Sequence, residues 1–165
     1  MTTGSSRPRV QRAFLDRDGH YVTAVGPVFV QVRAGILSVA DVREIGTHAV
    51  AFLAQCHGKV GALAVLEDTA AMPDAATRGA QQTSLASLLD EERVVLAGVV
   101  MGQDTDALLR RAVARGLVPG HRRKRTFTDT LQAVQWIAEE LNIDGGPVSD
   151  LLEVARRSAR ASRKP

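Results

Sequence analysis

Hydrophobic positions along this chain recur with two periods, and the switching between them outlines the fold. The segments HYVTAV (20–25) and VFVQVR (28–33) are short, β-branched and separated by Gly26-Pro27, which predicts a hairpin of two strands. Val28, Val30 and Val32 fall on one side of the second strand, and Phe29, Gln31 and Arg33 on the other. One clean apolar side places this pair at a sheet edge. Past Gly35 the period lengthens. Val39, Val42, Ile45, Ala49, Phe52, Leu53 and Cys56 recur at steps of three and four, the stripe of an amphipathic helix. Ser38 is its N-cap, with Asp41 closing a capping box, and Gly58 stands where the helix should stop.

Two continuous apolar runs follow, KVGALAVLED (59–68) and RVVLAGVVMG (93–102). Continuous rather than alternating apolar character predicts central strands buried on both faces of a parallel sheet. Between them lies VLEDTAAMPDAATRGAQQTS (65–84), which turns small and polar directly after the first of these strands. Pro73 and Asp74 suit a helix start, yet only Leu85, Leu88 and Leu89 give that helix an apolar stripe, at its far end. A helix able to bury so little of itself should be mobile or should cover something. After the second central strand, Asp104 or Thr105 caps a helix with Leu108, Leu109, Ala112 and Val113 toward the core, and Gly116 ends it. Lys124–Phe127 reads as a short strand. Thr128 or Asp129 caps a further helix carrying Leu131, Val134, Trp136, Ile137 and Leu141.

The predicted class is therefore α/β: a β-hairpin, then alternating helices and strands. The sheet is mostly parallel, with four to five strands and about four helices. Residues 1–18 are expected as a flexible leader and 19–143 as the domain. Residues 144–165 form a basic tail whose Leu151, Leu152 and Val154 suffice for one more helix.

Composition narrows this picture. At 165 residues and 45% hydrophobic the chain has material for one domain with a core. It has no apolar run long enough to span a membrane and no secretory signal behind its basic N-terminus, so a cytoplasmic location is expected. A single cysteine, Cys56, excludes an internal disulfide and a multi-thiolate zinc site. The net charge of +3 is unevenly placed: residues 83–109 carry five acids and one base, and 110–127 carry seven bases and no acid. Arg122, Arg123, Lys124 and Arg125 are the candidate anion-binding set. Without interleaved aromatic residues or a reading helix, they do not favour nucleic acid as the partner.

The order of elements resembles a STAS domain (sulfate transporter and anti-sigma factor antagonist), and within it the standalone bacterial members of the STAS/SEC14 group. The resemblance covers about His20 to Leu141. It rests on the hairpin, the helix after GILSV, the ALAVLED and VVLAGVVMG strands, and the ending RTFTDTLQAVQWIAEEL. In anti-sigma antagonists the loop after the central strand carries Asp-Ser-Ser-Gly at a helix start, and a partner kinase phosphorylates a serine there. This chain reads MPDAATRG: Asp74 matches the acid, but Ala75 and Ala76 replace the serines, so that switch is not carried over. Thr69 and Thr77 are the nearby hydroxyls. The resemblance implies a non-catalytic regulatory domain that docks a protein partner through Asp68, Thr69, Asp74, Thr77, Arg78 and Gln81. The alternative is a small-molecule or lipid-binding module with a pocket between the same helix and the sheet.

Catalytic chemistry finds little support. The histidines at 20, 48, 57 and 121 show no metal-binding spacing, and no glycine-rich phosphate loop occurs, so no cofactor is expected. Glu67 and Asp68, adjacent at a strand end, point to opposite faces and are no ready acid–base pair.

Overall fold

The structure, a computed structural model, describes residues 13–164. Among them, six strands form one sheet in sequence order: β1 (Leu15–Arg17), β2 (His20–Val25), β3 (Val28–Arg33), β4 (Val60–Leu66), β5 (Val94–Val100) and β6 (Lys124–Phe127). The helices are α1 (Val39–Gln55), α2 (Ala75–Asp90), α3 (Thr105–Gly116), α4 (Thr130–Leu141) and α5 (Gly146–Ala161). β1–β2 and β2–β3 pair antiparallel, and β3–β4, β4–β5 and β5–β6 pair parallel. The sheet is thus mixed and one strand wider than four to five.

The extra strand comes from the segment expected as leader. Residues 1–12 lie outside the described residues, but Leu15–Arg17 pairs with β2 across a two-residue turn. Asp18 and Gly19 both have positive φ there, 51° and 82°, as a tight hairpin of right-twisted strands requires. Gly19 also packs backbone against backbone on Gly35: a Cβ on it would sit 2.6 Å from the Gly35 nitrogen. With β1 at the edge, the hairpin of β2 and β3 moves inside the sheet. β3 pairs with β4, and both its faces are covered, so Arg33 is buried along with its valines.

Each parallel crossover steps one strand further in the same direction. Right-handed connections then put α1, α2 and α3 on one face. The chain turns back after β6, and α4 and α5 cover the other face. That second face is filled. Val28, Val30, Val32, Leu63, Val65, Val95, Ala97 and Val99 meet Ala133, Val134, Trp136 and Ile137 of α4 and Val148, Leu151, Leu152 and Ala155 of α5. α4 approaches closely because β4 presents Gly61 to it; a Cβ there would lie 2.9 Å from Ile137 Cγ2.

The segment expected as a tail belongs to this core. α5 lies on β2 and β3, and its outer rim is tied to the N-terminal hairpin. Ser158 Oγ donates to Asp16, the Gly19 amide donates to Ser162 Oγ at 3.2 Å, and Lys164 pairs with Asp18 at 2.7 Å. The strongest tie is Glu67, just past β4, which is fully buried. Arg156 meets its Oε1 at 2.5 Å, and Arg160 meets its Oε2 at 2.6 Å. Burial pushes the Glu67 carboxyl up, but the hydrogen bonds and charges of Arg156 and Arg160 outweigh this and hold it below the ordinary glutamate range.

Glu67→Gln should destabilise the protein by about 2–3 kcal/mol at neutral pH, because it leaves two guanidinium groups facing a neutral amide. A carboxyl with a depressed folded-state pKa stabilises above its unfolded pKa and stops doing so as pH falls through the folded value. The gap between wild type and Glu67→Gln should therefore begin to narrow below about pH 4.5, the unperturbed value, and close only below the depressed folded value, when urea unfolding is followed across pH.

Candidate functional site

The face beneath α1, α2 and α3 is packed at its ends and open between them. Near β1–β3, Val22, Ala24 and Phe29 pack on Val42, Ile45, Phe52 and Leu53 of α1. Toward β5, a small separate cluster joins Ala62 and Leu96 to Leu89 of α2. The gap follows from residue size. Side chains of central strands alternate between faces, and on this face β4 and β5 present Ala64 and Gly98, which pair side by side. Their neighbours on the other face, Leu63, Val65, Ala97 and Val99, are almost completely buried, whereas Ala64 and Gly98 remain partly open. The roof has the same deficit. α2 lays Gln81 and Ser84 over this floor, and its first apolar residue there is Leu85.

The result is a pocket of about 130 Å³ between α2 and the sheet. Leu37, Val42, Ile45 and Leu66 wall it on one side, and Val113 and Leu117 on the other. Met72 and Pro73 stand at the segment leading into α2. Its polar groups are Gln31, Arg33, Gln81, Ser84, Arg110, Lys124 and Thr126; among the described residues no carboxylate, thiol or imidazole lines it.

Two of the basic groups come from an unexpected source. The stripe expected to carry α3 into the core is turned largely outward: Leu108 and Leu109 are 59% and 56% exposed and Ala112 is exposed, while Val113 lines the pocket and Ala107, Arg110 and Arg111 are buried. Arg111 donates to the Gly102 carbonyl, and Arg110 lines the pocket. α4 differs in the same way at Leu131, which is exposed, while Val134, Trp136 and Ile137 face inward as expected. At the end of β3, burial lowers the Arg33 guanidinium to about 10, and the nearby charge of Arg110 acts in the same direction. Sequence reasoning missed both arginines. The available signal was Arg33 on the same strand side as Phe29 and Gln31, within a strand otherwise free of charge.

The residues expected to meet a partner are distributed unevenly. Asp68 is exposed at the end of β4. Thr69 is exposed, and its hydroxyl donates to the Ala34 carbonyl. Asp74 is the N-cap of α2, accepting from the Thr77 amide at 2.7 Å; that bond, with the Thr77 hydroxyl, holds its carboxyl below the usual range. The helix thus begins at Ala75 rather than Pro73. Thr77 is 2% exposed, which removes it from any docking surface. Arg78 folds back on the Pro73 carbonyl at 2.7 Å. Gln81 points inward, its Oε1 buried without a donor.

The four-residue basic run does not act as one patch. Arg122 is exposed. Arg123 donates to the carbonyls of Glu91 and Val94, at 2.6 and 3.0 Å. Lys124 turns to the carbonyls of Ala114 and Leu117 at the end of α3, and burial pushes its ammonium pKa down. Arg125 lies over the Trp136 ring on the opposite face, 5.2 Å from its centroid. Alternation along β6 and the demand of helix-end carbonyls for donors divide the charge.

No protein-family model, curated protein or solved structure matches the chain. No helix among the described residues is long and apolar enough to cross a membrane.

The floor offers a direct check on the void. A Cβ on Gly98 would meet nothing closer than the Arg125 carbonyl at 3.9 Å. Gly98→Val should therefore fill space without strain and restore strand propensity, raising the thermal midpoint by roughly 3–6 °C in calorimetry.

Proposed function

We propose that this chain is a non-catalytic regulatory domain of the STAS-like kind that binds a small amphipathic molecule between α2 and the sheet. The observation that carries this reading is the paired Ala64 and Gly98 floor beneath a polar stretch of α2, in an otherwise close-packed protein. A helix whose inner side is Gln81 and Ser84 gains little by closing on a dry void, but it gains contacts by closing on a ligand. The lining supports binding rather than turnover. Its groups are guanidinium, ammonium, amide and hydroxyl, and among the described residues no carboxylate, imidazole or thiol joins them. The element order from β2 to α4 agrees with the STAS resemblance, to which β1 and α5 are additions.

A second role is favoured by the outer side of α2. From Ala75 to Ser84 the only charged residue is Arg78, and Ala75, Ala76, Gly79, Gln82 and Thr83 are exposed. A smooth surface with so little charge suits close approach by a regulatory protein partner, and a ligand beneath the helix would set its position. Asp68 and Thr69 extend that surface along the strand-end rim.

Ligand-observed NMR against a panel of small amphipathic compounds tests the primary reading. Wild type should return binders that lose their signal in Ala64→Leu/Gly98→Leu, a variant that stays folded by circular dichroism. Binders indifferent to the filled floor, or none across the panel, would end it.

A further inference from the structure

The polar end of the pocket holds unbalanced charge. Arg33 and Arg110 are 2% and 6% exposed. Buried guanidinium groups ordinarily come with a carboxylate. The other face of this sheet follows that rule, with Glu67 held between Arg156 and Arg160. The pocket does not. Asp104 stands 3.9 Å from Arg110 Nη2, is mostly exposed, and already accepts from the Ala107 amide at 2.7 Å. Backbone carbonyls take one nitrogen of each arginine: Arg33 Nη1 donates to Ala71 at 3.1 Å, and Arg110 Nη1 to Ala70 at 3.3 Å.

Arg110 Nε and Nη2 are buried with no hydrogen-bond acceptor. These two nitrogens share one edge of the planar guanidinium and present parallel N–H groups, the arrangement that matches both oxygens of a carboxylate. Arg156 uses this same edge on Glu67, at 2.5 and 3.2 Å. Gln81, which lines the same pocket, also has a buried Oε1 without a partner, and the amide can present its NH2 group in place of that oxygen.

We propose that Arg110, with Arg33 beside it, receives the carboxylate of a small organic acid whose apolar body fills the pocket under α2. The inference rests on the ligand-binding reading above and adds the ligand's chemical class. The size of the body follows from the volume. A dry cavity of about 150 Å³ holds benzene, so about 130 Å³ suits a ring of that size or a chain of roughly six to eight carbons. A diacyl lipid does not fit. Charge sets a second limit. Arg110 also lines a second cleft at the strand-end rim, of about 270 Å³, together with Asp68 and Asp106. Two acids lining a cleft with the same arginine disfavour a dianion and favour a single carboxylate.

Isothermal titration of the full chain with octanoate, 1-octanol and inorganic phosphate tests the assignment, repeated on Arg110→Met. Since no buried acid loses its partner, the variant should fold and melt no lower than wild type; if it does not fold, Arg110→Gln takes its place. Octanoate should bind wild type roughly tenfold to a hundredfold more tightly than octanol, a preference the variant loses, and phosphate should not bind. Octanol binding as tightly as octanoate, with Arg110→Met unaffected, overturns the carboxylate assignment and leaves the pocket reading standing. Phosphate matching octanoate overturns the need for an apolar body. Failure of octanoate alone, while neutral compounds bind and are displaced by filling the floor, sinks this inference only; failure of every compound sinks both.

Discussion

The constraint on which the structure turns is the unequal side-chain volume on the two faces of its central parallel pair. β4 and β5 must lie side by side, and each must cover two faces. On one face they present Leu63, Val65, Ala97 and Val99, enough to seat α4 and α5 without gaps. On the other, Ala64 and Gly98 fall in register, and α2 sets Gln81 and Ser84 over them, with Leu85 its first apolar residue there. Because side chains alternate along a strand, neither face can borrow volume from the other. The sheet is therefore solid on one side and hollow on the other. The helices over the hollow side hold their places through their ends: Ser38 and Asp41 cap α1, Asp74 caps α2, Asp104 caps α3, and Lys124 meets the last carbonyls of α3.

Much of this was legible in the residues. Continuous apolar runs identified β4 and β5, the capping box identified the start of α1, and the poverty of apolar residues in 75–84 pointed to the helix that roofs the pocket. Two features were not read correctly, and a third was expected as a tail helix without its place in the core, each for a physical reason. β1 is short and charged at two of its three positions, so its strand pattern is faint; Asp18-Gly19, a strong hairpin dipeptide, was the available cue. α5 carries a sound stripe in Val148, Leu151, Leu152, Ala155 and Ala159, but the arginines between them resemble a solvated tail until Glu67 is known to lie beneath. α3 offers adjacent pairs, Leu108-Leu109 and Arg110-Arg111, and periodicity alone assigns the leucines inward. The helix is rotated the other way.

That rotation ties fold to site. Turning Leu108 and Leu109 outward forgoes apolar burial, of the order of 1.5–3 kcal/mol for each leucine fully buried. Placing Arg110 inward adds a desolvated charge with two of its three nitrogens unmet. Both are local departures from what stability favours, and such departures gather at functional sites. The site was hard to read because its principal residue sits where a core residue belongs, and its chemistry emerges only when β3, α2 and α3 are brought together.

The seating of α5 on the first hairpin has a consequence for how the molecule is made. The ribosome delivers the N-terminal end first, so β2 and β3 emerge long before the helix that covers them. Until α5 follows, the valine side of β3 faces water and the Glu67 carboxylate has no cation. The final 16-residue helix takes about one to three seconds to synthesise. A nascent chain arrested before residue 146 would display an adhesive apolar sheet, which makes the arrival of α5 the event that renders this domain safe from its own aggregation.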